Sequence, residues 1–491
     1  MAVISCGQLR AQTTAAIDSM FASQYNNGLL MGNVLVADNG KIVYQHSFGY
    51  QDVAKKIPNT AASAFALASV SKQVTATAVL QLKEKGKLSL EDFFVKYFPD
   101  FPYPQITVRQ LLNQTTGLPE YELFDSLAQK EPKRVFTNND IIPALKLWWR
   151  GLYFKPGEDW RYSSMNYCLL SMLVEKVSGE QFADYIQKHI FNPAGIKHTY
   201  IENYLLKVSN PYRTVNYDIY FTDSIVPVDS IEGEHEMIYN MGGFYGQGGL
   251  TSTTGDLLAF DDAFFAGRLI DKAEIDDALQ PAKLSNGAIA DTHDHGFGSF
   301  GKCGYGLGWF IVLDSSKGKI VWHDGGRPGI STVHLHNVAT NQTVIVLENS
   351  PHDTRTPAIT AYQLLNNMAV TPQKLSLIPP YIQTLLKEGS EAAFARFNAL
   401  RDDPRYQMPE DYAWVQLGYE LYDKPEHAQL QVEVFKIGCL LYPNSWYVTQ
   451  GYAAALSRNG KTKEAIMMYK KSLQQNPQND FAKEQLKLLQ Q

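Results

Sequence analysis

Hydrophobic and polar positions along the first third of the chain follow two rhythms. Asn33 to Ala37 and Lys41 to Phe48 are rich in β-branched and aromatic residues, and Asp38-Asn39-Gly40 parts them. Asn-Gly between such runs predicts a tight hairpin. Ahead of it, Ala16 to Gln24 has the spacing of a short amphipathic helix. From Phe65 an apolar run ends at Ser69; Val70, Val74, Ala78 and Leu82 then recur at helical spacing as far as Gly86. Further helices are predicted over Ile106 to Asn113, Ile141 to Trp149, Tyr167 to Val177 and Thr254 to Phe265, with loops at Thr115 to Pro119 and Gly246 to Gly249. Gly306 to Leu313, Lys319 to Trp322, Ser331 to His336 and Thr343 to Leu347 read as strands of an antiparallel meander. Strands at both ends of a helical middle predict an α+β domain: one antiparallel sheet, flanked by helices and accompanied by an all-helical subdomain.

After about Ala369 the pattern becomes helical throughout. Pro372, Pro379 and Pro380 read as a linker, and Ile382 to Phe397 as a bridging helical segment. Phe435 and Tyr469 stand 34 residues apart, as do Pro443 and Pro477. That is the tetratricopeptide period. Gly460, Ala465, Tyr469 and Pro477 fall where such a unit places a turn glycine, a close-packed alanine, an aromatic and a helix stop. Phe481 to Leu489 reads as a capping helix. So few repeats seldom stand alone, so the module is expected to lean on the rest of the chain. The expected division is a tail or signal remnant at 1–14, a main domain at 15–369, a linker and bridging helix at 370–404, and an all-α tetratricopeptide-like module at 405–491.

Composition narrows the function classes. The chain has 491 residues, 45% hydrophobic and 19% charged, with a net charge of -6 and no basic block. This describes a globular protein of more than one domain and disfavours nucleic acid as a partner. Four scattered cysteines show no metal spacing or disulfide framework. No apolar run is long enough to span a bilayer. Val3-Ile4-Ser5-Cys6 resembles the end of a lipoprotein signal, and Leu9 to Gln12 a cleavage region, without a charged or apolar stretch ahead of them. The expectation is a periplasmic or secreted protein with an incomplete signal, a cytoplasmic location being the alternative.

The candidate chemistry sits at Ser69-Val70-Ser71-Lys72. Three residues apart on a helix, Ser69 and Lys72 share a face. A serine hydroxyl needs a base to become a nucleophile, and a lysine one turn away serves if burial lowers its pKa. Ser-x-x-Lys by itself is a common tetrapeptide, so the rest of the chain has to carry the reading. Gly296 to Lys302 nearly matches a P-loop, but Cys303 stands where Ser or Thr is needed. His293-Asp294-His295 and His334-Leu335-His336 could offer metal ligands, but no convergent carboxylate is evident in sequence; solvated or hydrogen-bonded histidines are the expectation. No metal is assigned.

Four stretches together resemble the serine β-lactamase-like hydrolases, the group of class C β-lactamases, D-aminopeptidases and esterases. They are Ser69 to Lys72; Thr107 to Leu112 with Thr116-Gly117-Leu118-Pro119; Pro156-Gly157 with Trp160, Tyr162-Ser163 and Tyr167; and His323-Asp324-Gly325-Gly326 with Pro328-Gly329. Their order and spacing fit that family over roughly residues 15 to 350. The resemblance implies Ser69 as nucleophile, Lys72 as its activator, and Tyr162 as base and then acid. It implies His323 at the head of the strand motif, and an oxyanion site of Ser69 with Gly325 and Gly326. It implies no cofactor and a small-molecule or peptide substrate.

Two departures matter. Ser164 stands where the family has Asn, which puts substrate-amide recognition in doubt; Asn166 could compensate if the turn differs. His323 stands where true β-lactamases have Lys. A histidine mostly neutral at pH 7 weakens the hold on a β-lactam carboxylate, and a deficit that shrinks in acid is expected. The leading expectation is a serine hydrolase cleaving an ester or amide. The alternatives are a β-lactamase or D,D-carboxypeptidase, an acyl or peptidyl transferase, and an inactive scaffold whose repeats bind a peptide or protein partner.

Overall fold

The computed structural model describes residues 6–203, 205, 208–221, 225–231, 239–293, 295, 297–314, 316, 318–370, 373–421 and 427–490. Val3 to Ser5 of the signal-like stretch, Asp294, Gly296 and Pro372 lie outside the described residues. The chain forms two compact units: Met1–Asp218 with Pro227–Val370, and Ile219–Val226 with Thr371–Gln491.

The first unit is built on a seven-stranded antiparallel sheet. Its strands are β1 (Gly32–Asp38), β2 (Lys41–Ser47), β3 (Cys303–Tyr305), β4 (Phe310–Val312), β5 (Ile320–Arg327), β6 (Ile330–Asn337) and β7 (Gln342–Glu348), in the spatial order β3-β4-β5-β6-β7-β1-β2. The N-terminal hairpin thus closes onto the last strand of the C-terminal meander, as the sequence pattern predicts. Asn39 and Gly40 both have positive φ, 51° and 69°, the conformation a two-residue hairpin turn requires. Gly306 to Leu313, expected as one strand, is instead the end of a turn followed by β4. Gly308 sits at φ 88° there, and a Cβ on Gly306 would lie 2.1 Å from the Ala278 carbonyl, so the chain bends rather than extends.

Alternation along the strands explains why both faces are covered. Val34, Val36, Val333, Leu335, Val344 and Val346 face a core with Ile17 and Phe21 of α1 (Cys6–Asn26) and Ala358 and Tyr362 from the late helix Arg355–Leu365. Leu35, Ala37, Ile345 and Leu347 face the other way. There they meet α2 (Ser71–Glu84), α3 (Ser164–Ser178) and α4 (Thr254–Phe265). Helix α5 is Arg355–Leu365. No helix among the described residues is long and apolar enough to cross a membrane.

A buried polar knot joins α2 to this sheet. Asp261 of α4 accepts from His334 Nε2 and His336 Nδ1 of β6, each at 2.8 Å, and from Thr343 Oγ1 at 2.7 Å. His334 Nδ1 lies 2.9 Å from Oε1 of Gln73, the neighbour of Lys72 on α2. The absence of a convergent carboxylate is therefore corrected: Asp261, more than 70 residues away in sequence, converges on both imidazoles.

The second unit is helical: α6 (Ile378–Glu388), α7 (Ser390–Leu400), α8 (Asp411–Glu420), α9 (Ala428–Leu441), α10 (Trp446–Arg458), α11 (Thr462–Gln475) and α12 (Asp480–Leu489). Pro379 and Pro380 open α6 rather than punctuate a linker. Proline is tolerated in a first turn, where its missing N–H has no intrahelical acceptor to satisfy. Phe435 of α9 is wedged between Gly418 of α8 and Gly451 of α10, where a Cβ on either glycine would come within 2.2 Å of its ring. Tyr381, Phe397 and Trp414 form an aromatic centre to which Phe221 adds from the segment 219–226.

Candidate active site

The strand pairing Phe65↔Ser252 ends in a 3-10 turn, Ala68–Val70, that leads straight into α2. Ser69 sits half-buried on that turn, one residue after Ala68, which holds φ at 44°. A non-glycine residue in that region is strained and persists where its surroundings fix it. Gly325 of β5 presses against the same turn. A Cβ there would lie 2.2 Å from the Leu67 carbonyl and 2.9 Å from Ser69 N, so only glycine lets the strand approach.

Lys72 is fully buried. Its Nζ lies 3.0 Å from Ser69 Oγ and donates to the Gln247 carbonyl at 2.7 Å. Burial drives its pKa down to about 7, against the opposing pull of Glu120. The Tyr162 hydroxyl is hydrogen-bonded to the Ser69 side chain, and Lys72 Nζ stands 4.9 Å from the Tyr162 ring centroid. Burial and then Tyr305 push the Tyr162 phenol well above its ordinary value. The structure thus brings Ser69, Lys72 and Tyr162 into one cluster.

His323 completes the cluster from β5. It is wholly buried, with its ring centroid 6.4 Å from that of Tyr162. Nδ1 faces the Asp324 carbonyl at 2.7 Å, which requires a proton there and leaves Nε2 to accept from the Tyr305 hydroxyl at 3.1 Å. Burial, then the nearby Lys72, lowers its pKa to about 3. The expected narrowing of a β-lactam deficit in mild acid is therefore corrected: the ring stays neutral far below pH 6.

The two doubtful positions have separate fates. Ser164 opens α3, and its backbone N–H donates to Glu120 Oε2. Asn166 is buried, with its amide engaged by Gln114 at 2.5 Å and Thr116 at 2.9 Å. Gly326 follows Gly325 on β5, and nothing lies within 4 Å of where its Cβ would be.

Four neighbours escaped the sequence reading. Glu120 carries a carboxyl whose pKa burial raises while Lys72 pulls it down. Gln247 offers only its carbonyl, which no side-chain motif announces. Tyr305 orients His323. Arg327 follows the glycines of β5. Glu120 could have been noticed as an acid directly after Thr116-Gly117-Leu118-Pro119; the others are set by packing between distant segments.

Comparison with known proteins gives the family. The family model described as Beta-lactamase matches residues 17–367. The chain is 37% identical over 326 residues to penicillin-binding protein 4* of Bacillus subtilis (strain 168), covering 66% of this chain and 69% of that one. Among solved structures it is similar to an octameric penicillin-binding protein homologue from Pyrococcus abyssi, with TM-score 0.61 and 24% identity, covering 72% of this chain and 77% of that one. It is similar also to the D-amino acid amidase of Ochrobactrum anthropi SV3, with TM-score 0.59 and 21% identity, covering 72% and 99%. A serine one helical turn from a buried lysine, a tyrosine bonded to that serine and a family match over most of the chain lead to one assignment: the chain belongs to the beta-lactamase family of serine hydrolases.

Proposed function

We propose that the protein cleaves an ester or amide bond through an acyl-enzyme on Ser69. One observation carries the assignment of the nucleophile: Lys72 Nζ lies 3.0 Å from Ser69 Oγ with its pKa held near 7 by burial. At neutral pH a large fraction of such an amine is uncharged and can accept the serine proton. Tyr162 stays a phenol, since its pKa is raised, so in the resting enzyme it relays a proton rather than starting as the base. Attack on the carbonyl forms a tetrahedral intermediate whose oxyanion meets the N–H groups of Ser69 and Gly326. Each such donor is worth about 3–4 kcal/mol in comparable sites. The proton held between Lys72 and Tyr162 passes to the leaving group, and water then reverses the sequence to free Ser69.

His323 keeps Tyr305 and Tyr162 in place as a neutral ring. A D,D-carboxypeptidase or penicillin-binding role is favoured by the relative's name and disfavoured by the lack of a cation at position 323. Transfer to an amine uses the same intermediate. For the second unit, the 34-residue spacing and the glycine–Phe435–glycine packing support a tetratricopeptide-like array, with peptide binding as its further reading. The signal-like Val3 to Cys6 supports a periplasmic or secreted setting.

The test is intact mass after a fluorophosphonate probe. One adduct mapping to Ser69 and lost in Ser69→Ala is expected; an adduct that persists in Ser69→Ala overturns the assignment.

A further inference from the structure

Two of the most exposed large hydrophobic side chains of the protein stand at one turn. Leu147 is 73% exposed and Trp149 80%, and no other large apolar side chain among the described residues exceeds 69%. Of the seven tryptophans, Trp149 is the exposed one. A leucine scattered singly on a surface needs no explanation. An indole and a leucine within three residues do.

The turn is built to hold them out. The helix Ile141–Leu147 stops at Trp148, whose backbone is extended and whose indole N–H donates to the Gly151 carbonyl at 2.9 Å. Gly151 closes the turn at φ 68°, a conformation glycine adopts at no steric cost. Two residues on, Tyr153 N–H donates to the Gly117 carbonyl at 2.9 Å. A Cβ on Gly117 would lie 2.5 Å from the Phe154 carbonyl, so the backbones are in close contact there. A turn fastened at both ends keeps Leu147 and Trp149 in solvent.

Charge marks what the tip would meet. From Ile141 to Gly157 the chain carries Lys146, Arg150 and Lys155 and no acidic residue, although its net charge is -6. Lys146 lies 3.0 Å from Asp100 and Lys155 3.6 Å from Glu158, and such exposed pairs hold weakly. Arg150 forms no ion pair among the described residues. Its guanidinium lies 4.8 Å from the Trp149 ring and 5.9 Å from the Trp148 ring, which leaves its N–H donors open to a phosphate. An indole, a leucine and a cation on one turn suit the headgroup level of a bilayer, where aromatic rings settle and basic side chains meet anionic lipid. A glycan would stack on Trp149 and leave Leu147 unused. A second copy of this chain would need a wider patch.

We propose that the turn Leu147–Gly151 docks the protein on an anionic lipid surface. Leu147 and Trp149 enter the headgroup region, and Arg150 contacts lipid phosphate. The docking is independent of the reaction at Ser69.

The full chain is sedimented with vesicles of phosphatidylcholine, with and without phosphatidylglycerol. Binding should be tighter with phosphatidylglycerol and should weaken as salt is added. Trp149→Ala should lower the affinity by about tenfold or more, since binding follows buried apolar area. Arg150→Gln should lower it about fivefold on anionic vesicles and little on neutral ones. Brominated acyl chains should quench the tryptophan emission of the wild type, and Trp149→Phe should abolish most of that quenching while keeping part of the binding. Both Trp149→Ala and Arg150→Gln should retain the melting temperature and fluorophosphonate labelling, so that loss of docking is told apart from loss of fold. Failure to sediment with anionic vesicles, or sedimentation unchanged in Trp149→Ala, overturns the proposal. Trp149-dependent capture by insoluble peptidoglycan without vesicle binding overturns it in favour of a glycan platform. A dimer that Trp149→Ala dissolves, again without vesicle binding, overturns it in favour of self-association.

Discussion

In the proposed mechanism Lys72 is where pH enters the chemistry. Its ammonium is disfavoured by burial, and the amine form gains population as pH rises through about 7. Acylation of a neutral ester should therefore climb with unit slope below pH 7 and level off above it, read by stopped-flow at single turnover. Glu120 opposes this by stabilising the ammonium. Glu120→Gln should move the rising limb to lower pH; a limb that stays in place would remove Glu120 from the proton circuit. Tyr162→Phe keeps the ring and deletes the relay, so acylation should fall by about 10²–10⁴ with the fold intact. His323 contributes no positive charge above about pH 3. The ratio of nitrocefin to ester turnover should thus stay flat from pH 8 to 5, as a two-substrate pH series would show. Ser69 and Lys72 were legible in sequence because a three-residue spacing is local. Glu120, Tyr305 and Arg327 reach the site through packing, which no spacing encodes.

At the scale of elements, β5 and α2 carry the site, and the Asp261 knot keeps them in register. Burial pushes the Asp261 carboxyl up, but His336 and His334 together hold it far below the usual carboxylate range. A carboxyl whose folded pKa is depressed contributes stability that is fully present above its unfolded value near ~4, and loses it as pH falls below that. The melting temperature should decline below about pH 4. Asp261→Asn should cost about 3–5 kcal/mol at pH 7, as breaking a buried charged network does. It should also flatten the acid decline, measured by denaturant unfolding across pH. An unchanged midpoint would mean the knot is dispensable. The sheet itself was readable: alternation and Asn39-Gly40 give β1 and β2, and the meander gives β5 to β7. The break inside Gly306 to Leu313 was not, because a β-rich composition conceals a glycine turn until the Ala278 carbonyl is seen beside it.

At the scale of the molecule, the unit boundary is crossed three times, at 218–219, 226–227 and 370–371. Ile219–Val226 belongs to the second unit, where Phe221 packs, partly buried, against the cluster of Tyr381, Phe397 and Trp414. Composition and proline placement pointed to a boundary near 370; nothing in the pattern of residues 219–226 marked them as part of a helical unit. A chain ending at Val370 should therefore expose Phe221, and limited proteolysis should cut first at 219–226 while fluorophosphonate labelling of Ser69 persists. Resistance of that segment in the shortened chain would contradict the division. The same connectivity bears on biosynthesis. During translation Phe221 leaves the ribosome well before Thr371, and at ~5–20 residues per second its core is missing for on the order of ten seconds. Throughout that interval Phe221 lacks the aromatic cluster it packs against in the folded chain, so this stretch is expected to be the first place where the growing chain shows an unpartnered aromatic side chain.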